Sequence, residues 1–131
     1  MKDSVIEKKI YYHDTDCGGV VYYANYLEFF EEGRTEYCLD KGVVLGDWVN
    51  KYTFFVVAHT EINYKAPARY QDKIKVFTSI ERIGNASINF IQKITREDVV
   101  LVESKTTWVC VGEGFKPKPA PEEIKRALLS A

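Results

Sequence analysis

Residues whose types could carry out chemistry lie close together near the start of the chain, within positions 13–19. Asp14 and Asp16 are two residues apart, and the consecutive glycines Gly18 and Gly19 follow them. A carboxylate can act as a nucleophile or a general base, and glycines permit a tight turn and a close approach of substrate to the backbone. Asp16 is therefore the candidate catalytic carboxylate. The more ordinary alternative is that both carboxylates accept hydrogen bonds from N–H groups of their own loop.

A helix directly after this loop supplies a second chemical group. Apolar residues follow helical spacing over positions 23–41, and most of the acidic residues lie on the other side. Asn25 and Glu28 resemble an N-terminal capping pair, and Gly42 is a typical terminator. The first N–H groups of a helix have no partner within it, so the N–H group near Tyr23 can stabilise a developing oxyanion.

Strand-like segments must position this loop and helix. The predicted strands are residues 5–12, 54–65, 73–83, 86–96 and 99–112. Turn signals between the later segments favour antiparallel neighbours. Since only one long helix is available to cover the apolar face, the sequence predicts a single α+β domain over residues 1–131, a curved antiparallel sheet wrapped around that helix. The last strand is apolar on both sides, which favours association with further copies.

Composition excludes several classes of partner. The chain has 18 Lys and Arg against 19 Asp and Glu, so its composition does not indicate the broad basic surface that nucleic acid favours. No apolar run approaches the length of about 18 residues that membrane insertion needs, and no signal peptide opens the chain, so a cytoplasmic location is predicted. The ligand types at positions 13–17 match no closed zinc pattern, so no metal is predicted. Cys17, Cys38 and Cys110 are expected to be free thiols.

One stretch of the chain resembles a known family. Residues 12–27, YHDTDCGGVVYYANYL, closely resemble the active-site stretch of 4-hydroxybenzoyl-CoA-type, YbgC-like hotdog thioesterases. The similarity continues through FFE and RTE at positions 29–31 and 34–36 of the predicted helix, and through INYKAPA at positions 62–68. Together with the long predicted strands that follow these motifs, the resemblance covers the chain up to about Gly112.

The resemblance implies a hotdog fold, homodimers with a continuous sheet, and often tetramers of such dimers. It also implies an acyl-CoA thioesterase, a hydrolase that releases a free acid and CoA at sites where two protomers meet, without a cofactor. Matching positions make Asp16 the catalytic carboxylate and the backbone N–H of Tyr23 the oxyanion donor. The residues implied to line the substrate are Gly19, Val20, Tyr22 and Asn25.

Other details stay open at this level. Asp16 can attack the thioester directly or activate water, since the choice depends on its burial. Lys65 and Arg69 flank Pro67 and are candidate cations for the CoA phosphates, although scattered cations are more often solvated surface. His13 stands where relatives frequently have Glu, and Tyr23 where they frequently have His. The second departure can alter rate or acyl preference, although the backbone N–H is retained.

Two alternative functions use the same fold. A hydratase or dehydratase would need a histidine-based site, which the Asp16-centred motif does not supply. A non-catalytic module would bind acyl-CoA or another protein without turnover. Because YbgC-like proteins are often associated with the Tol-Pal envelope system, a Tol-Pal-linked protein is a candidate partner.

Overall fold

The strand-like segments form one antiparallel sheet in the computed structural model, which describes residues 3–130. The strands are β1 (Ser4–Lys9), β2 (Phe54–Tyr64), β3 (Lys73–Ile83), β4 (Ser87–Arg96) and β5 (Val99–Val111). Their order across the sheet is β1-β3-β4-β5-β2, so β1 and β2 are the edge strands. Every second side chain of β3 between Ile74 and Ile80 is buried, as the period-two pattern predicts.

One long helix, α1 (Asn25–Asp40), packs against β1 and β3. Its buried side chains include Tyr26, Phe29, Phe30, Tyr37 and Cys38. Two shorter helices are α2 (Leu45–Val49) and α3 (Glu122–Leu129). The predicted α+β arrangement, an antiparallel sheet packed on one long helix, is confirmed. Within residues 3–130, no helix combines the length and the apolar character needed to cross a bilayer.

The structure departs from the sequence-based expectations in three places. β1 ends at Lys9, and the chain then forms a short 3-10 turn over Tyr12–Asp14. Asn25 is the first residue of α1 and not its N-cap, which is Ala24. The Asn25 side chain donates to the Asp14 carbonyl at 2.9 Å and does not cap the helix. The connecting segment after α1 contains α2, which the sequence did not predict.

The apolar residues on both sides of β5 have a partial explanation within one protomer. Thr95 pairs with Val100 and Ile94 pairs with Val102, so Leu101 is an extra residue in a β-bulge. Leu101 and Val102 are both fully buried in the same apolar cluster. The bulge therefore weakens the sequence-based argument that the second side of β5 must be covered by another copy.

Candidate active site

The loop before α1 is a tight hairpin-like turn with Asp16 at its start. The Asp16 N–H donates to the Val20 carbonyl at 2.9 Å, and the Gly19 N–H donates to the Asp16 carbonyl at 3.1 Å. Thr15 and Val21 form an antiparallel bridge just outside the turn. Gly19 has φ of +79°, a left-handed conformation that favours glycine. The turn therefore requires at least one of the two glycines that the sequence places there.

The Asp16 carboxylate is exposed at this turn. Its Oδ1 atom accepts the Gly18 N–H at 2.8 Å. Within residues 3–130, its Oδ2 atom has no hydrogen-bond partner. The two sequence-based interpretations of Asp16 are therefore compatible, because one oxygen is oriented by its own loop while the other faces solvent.

Asp14 has a different environment. It is only 8% exposed, and its Oδ2 atom accepts the Tyr11 N–H at 2.9 Å. Its carbonyl accepts the Tyr22 N–H at 3.2 Å and the Asn25 side-chain amide at 2.9 Å. Asp14 therefore connects the loop to the first turn of α1, and its carboxylate is occupied by a local backbone contact.

The start of α1 offers a free donor beside this loop. Tyr23 immediately precedes the N-cap residue Ala24, and the Asn25 N–H donates to the Tyr22 carbonyl at 2.9 Å. Among the described residues, the Tyr23 N–H makes no hydrogen bond. The Tyr23 residue is 61% exposed, so its side chain is accessible to a ligand or a second protein chain.

A tyrosine on β2 hydrogen-bonds to the segment just before α1. The Tyr64 hydroxyl donates to the Tyr23 carbonyl at 3.1 Å. Partial burial raises the pKa of the Tyr64 phenol, so it remains a protonated donor at neutral pH. The resemblance included Tyr64 in a matching stretch, but only the fold brings it to Tyr23, since the two are 41 residues apart.

Aromatic rings surround the start of α1. The Tyr22 and Tyr23 ring centroids are 4.9 Å apart, and those of Tyr26 and Tyr64 are 5.7 Å apart. Tyr26 is buried, and its hydroxyl accepts the Ala68 N–H at 3.0 Å. Tyr22 and Tyr23 are exposed. The cluster thus combines one packing residue with two rings available for contacts.

The two candidate phosphate-binding cations differ in position. Arg69 forms an antiparallel bridge with Val20, so it lies directly beside the turn that carries Asp16. Its side chain is exposed and makes no ion pair within residues 3–130. Lys65, in contrast, is paired with Glu103 at 3.1 Å. Of the two, only Arg69 is free and next to the loop.

The three cysteines differ in exposure, and this decides which thiol could react. Cys17 is exposed, whereas Cys38 and Cys110 are buried, and all three are free. Burial raises the pKa of the Cys38 thiol to about 12, so that thiol is not a nucleophile at neutral pH. Among the described residues, no three His, Cys, Asp or Glu side chains are grouped so as to hold a metal ion.

Comparison with known proteins gives consistent matches over nearly the whole chain. A family model described as the thioesterase-like superfamily matches residues 11–128. The acyl-CoA thioesterase YbgC of Haemophilus influenzae is 36% identical over 122 residues, which cover 92% of this chain and 90% of that protein. The acyl-CoA thioester hydrolase YbgC of Escherichia coli O6:H1 is 36% identical over 118 residues, 88% of each chain. The crystal structure of a probable thioesterase from Bartonella henselae is 36% identical, with a TM-score of 0.86, and covers 92% of this chain and 100% of that chain.

Proposed function

The chain belongs to the thioesterase-like superfamily, and we propose that it hydrolyses an acyl-CoA thioester with Asp16 as the reacting carboxylate and the Tyr23 N–H as oxyanion donor. It is a thioester hydrolase of the acyl-CoA thioesterase type. One observation carries the assignment of the site: an exposed carboxylate, oriented by the Gly18 N–H, lies on the loop that leads into a helix start with an unpaired N–H.

The carboxylate has two chemical routes. In the first, Asp16 attacks the thioester carbonyl, CoA leaves as a thiolate, and water then hydrolyses the resulting acyl anhydride. In the second, Asp16 takes a proton from water, and the hydroxide attacks the carbonyl directly. Both routes yield the free acid and CoA. A thiolate is a good leaving group, so neither route needs a cofactor.

The oxyanion is the feature that both routes share. Negative charge develops on the carbonyl oxygen in the transition state, and an N–H donor at a helix start is aimed at it without reorganisation. One such donor typically stabilises the transition state by about 3 to 4 kcal/mol. The Tyr23 N–H fits this role because it precedes α1 and has no partner in the described part of the chain.

The substrate contacts follow from the same loop. We place Gly19 and Val20 against the thioester end of the substrate, since nothing lies within 4 Å of the Cβ position of Gly19. The exposed ring of Tyr22 contributes a wall. Asn25 acts through its hydrogen bond to the Asp14 carbonyl and so fixes the loop relative to α1.

The site is proposed to be completed by a second copy of the chain. β2 is an edge strand of 11 residues, and residues 57–61 in its middle are exposed. Such an edge favours pairing with another strand. A homodimer with β2 strands side by side, or a tetramer of such dimers, would bring the loop and the helix start of one protomer against its partner. The cytoplasmic location and a Tol-Pal-linked partner stay predictions of the sequence.

The decisive experiment is a comparison of CoA release by the parent protein and by Asp16→Asn. We expect the parent to release CoA from at least one of a set of short, long and aromatic acyl-CoAs. The variant should lose about a hundredfold or more in kcat, because the reacting carboxylate is removed. Asp47→Asn, which neutralises an exposed carboxylate on α2, serves as the matched control and should retain the parent rate.

Two outcomes would contradict the proposal. A folded Asp16→Asn protein with the parent rate would remove Asp16 from the site. Tight binding of acyl-CoA by the parent without release of CoA would favour a non-catalytic acyl-CoA-binding module, and Tyr23 would then be the first position to exchange for His.

A further inference from the structure

An unusual group of exposed lysines lies where β1 ends and β3 begins. Lys9, Lys73 and Lys75, here called the lysine cluster, are exposed beside a surface depression of ≈ 460 Å³. The other lining residues are Glu7, Lys8, Ile74 and Glu97. Four lysines against two glutamates make this depression cationic.

The strand register places two of these charges directly opposite each other. Lys9 pairs with Lys73 across β1 and β3, whereas the preceding pair on the same face, Glu7 with Lys75, has opposite charges. Cβ atoms of directly opposed residues are about 5 Å apart, and like charges at that position destabilise a sheet. The Lys9–Lys73 pair therefore concentrates positive charge at this end of the sheet without stabilising it.

The cluster lysines form no close ion pairs among the described residues, although Glu7 lies across from Lys75. Other lysines have carboxylate partners, such as Lys8 with Glu32 at 3.4 Å. In the part of the chain that the structure describes, none of the three cluster lysines is within 4.0 Å of a carboxylate oxygen. The Lys9 Nζ atom lies 6.0 Å from the centroid of the Tyr11 ring.

Backbone hydrogen bonds connect this end of the sheet to the Asp16 loop. Ile10 follows Lys9 in the chain. Its N–H donates to the Asp72 carbonyl at 2.8 Å, and its carbonyl accepts the Gln71 N–H at 2.9 Å. Arg69, in the same connecting segment, is bridged to Val20. Since Lys73 follows Arg69 by four residues, their Cα atoms are at most about 15 Å apart. The cations therefore extend from the edge of the proposed site outward along the sheet.

We propose that the lysine cluster, together with Arg69, binds the phosphate groups of the CoA moiety while the thioester lies at Asp16. This inference rests on the proposed function. CoA carries a diphosphate and a 3′-phosphate at the far end of a flexible pantetheine arm, so its anionic groups must lie at a distance from the reacting carbonyl. Clustered, unneutralised ammonium groups attract such an anion and favour its capture at low ionic strength.

The test compares two double variants on two substrates. Lys9→Gln/Lys73→Gln removes the opposed charges, and Lys51→Gln/Lys116→Gln removes two exposed charges elsewhere and is the matched control. Each protein is assayed with an acyl-CoA and with the same acyl group on N-acetylcysteamine, a thioester without phosphates. We expect the cluster variant to raise the KM for acyl-CoA about five- to tenfold with kcat unchanged, and to leave the phosphate-free thioester unaffected. The control variant should match the parent on both substrates.

Stability and binding measurements distinguish a failure of the phosphate-binding inference from a failure of the proposed function. The cluster variant should unfold at the parent temperature or above, because a repulsive pair is removed. Adenosine 3′,5′-bisphosphate should bind the parent and bind the cluster variant about five- to tenfold more weakly in calorimetry. Equal KM values for acyl-CoA in parent and cluster variant would overturn the inference and leave the proposed function intact. A parent that hydrolyses neither thioester would overturn the proposed function, and equal bisphosphate binding, or none, would then overturn the inference as well.

Discussion

Asp14 and Asp16 show how burial separates two residues of the same type. Asp14 is buried, and its side chain accepts the Tyr11 N–H. Asp16 is exposed, and one of its carboxylate oxygens accepts the Gly18 N–H. Of the two, only Asp16 is therefore accessible for the proposed reaction, and its contact with Gly18 restricts the orientation of the carboxylate.

Substitutions at Gly18 and Gly19 test two effects separately, the orientation of the Asp16 carboxylate and the backbone strain of the turn. A Cβ atom at Gly18 would lie 3.3 Å from Asp16 Oδ1, so Gly18→Ala should displace the carboxylate and lower kcat severalfold with little change in stability. At Gly19 a Cβ atom meets nothing within 4 Å, but φ is +79°, so Gly19→Ala should lower the free energy of unfolding by about 1 kcal/mol. Urea denaturation and CoA release measure both effects. A Gly18→Ala protein with the parent kcat would contradict the role given to the Gly18 contact.

The buried thiol of Cys38 predicts a loss of stability at alkaline pH. Burial raises its pKa from 9.0 to about 12, so above pH 9 the unfolded chain loses a proton that the folded protein retains. The stabilisation is complete below pH 9 and falls by about 1.4 kcal/mol per pH unit as pH rises toward 12. Urea denaturation at pH 8 and pH 10.5 should show a smaller loss for Cys38→Ala than for the parent. Equal losses would show that another group dominates, such as the buried phenol of Tyr37, whose pKa is also raised.

At the scale of elements, a buried polar contact fixes α1 on the sheet. The Gln92 side-chain amide donates to the Phe30 carbonyl at 2.8 Å and to Thr78 Oγ1 at 2.9 Å, and its oxygen accepts an N–H of Arg34 at 3.0 Å. These groups lie between two apolar clusters of the core. Since buried polar groups are costly unless paired, this contact restricts how α1 can slide along the sheet. The position of Tyr23 depends on that restriction.

Gly33 permits the close approach of α1 to the sheet. A Cβ atom there would lie 2.7 Å from Thr78 Oγ1 and 2.9 Å from both Gln92 Nε2 and Val76 Cγ1. We expect Gly33→Ala to lower the free energy of unfolding by about 1 to 3 kcal/mol, although alanine is the better helix former. Gly46→Ala on α2 is the control, because nothing lies within 4 Å of its Cβ position, and it should stabilise by up to about 1 kcal/mol. Equal unfolding midpoints for the two variants would exclude tight packing at Gly33.

At the scale of the whole molecule, the free side of β2 is the feature that one protomer does not explain. Ala58 lies in a bulge between Val57 and His59 and has no partner on β5. Because β2 is an edge strand of the sheet, its side away from β5 can pair with another strand. Because proline is tolerated at edges and bulges, a change at this position tests association while leaving the protomer fold in place.

We therefore predict that the parent sediments as a dimer or tetramer at micromolar concentration and that Ala58→Pro shifts it toward the monomer. Ala58→Ser keeps the N–H and should associate like the parent. If the site lies between protomers, CoA release by Ala58→Pro should fall in proportion to the dimer that remains. A parent mass of 15.1 kDa in sedimentation would rule out the association proposed for β2.

Local patterns in the sequence were sufficient for the strands, the long helix and the Asp16 loop. Alternation along β3 and helical spacing along α1 reflect which side chains must be buried, and Gly18 and Gly19 indicate a tight turn. They were not sufficient for boundaries: the capping role expected of Asn25 was wrong because its side chain is used by the Asp14 carbonyl. Bulges are also invisible to such patterns, so the burial of both Leu101 and Val102 was not foreseen.

The tertiary structure alone decided which distant residues surround the site. Tyr64 reaches Tyr23, and Arg69 is bridged to Val20 while Lys65 is paired with Glu103. The like-charged pair of Lys9 and Lys73 likewise exists only in the register of β1 against β3. The sequence by itself determined the fold class and singled out the Asp16 loop as the candidate site, because periodic burial and the loop motif are read from residues close together in the chain. Contacts between strands depend on register, and a shift of one residue turns every side chain to the opposite face.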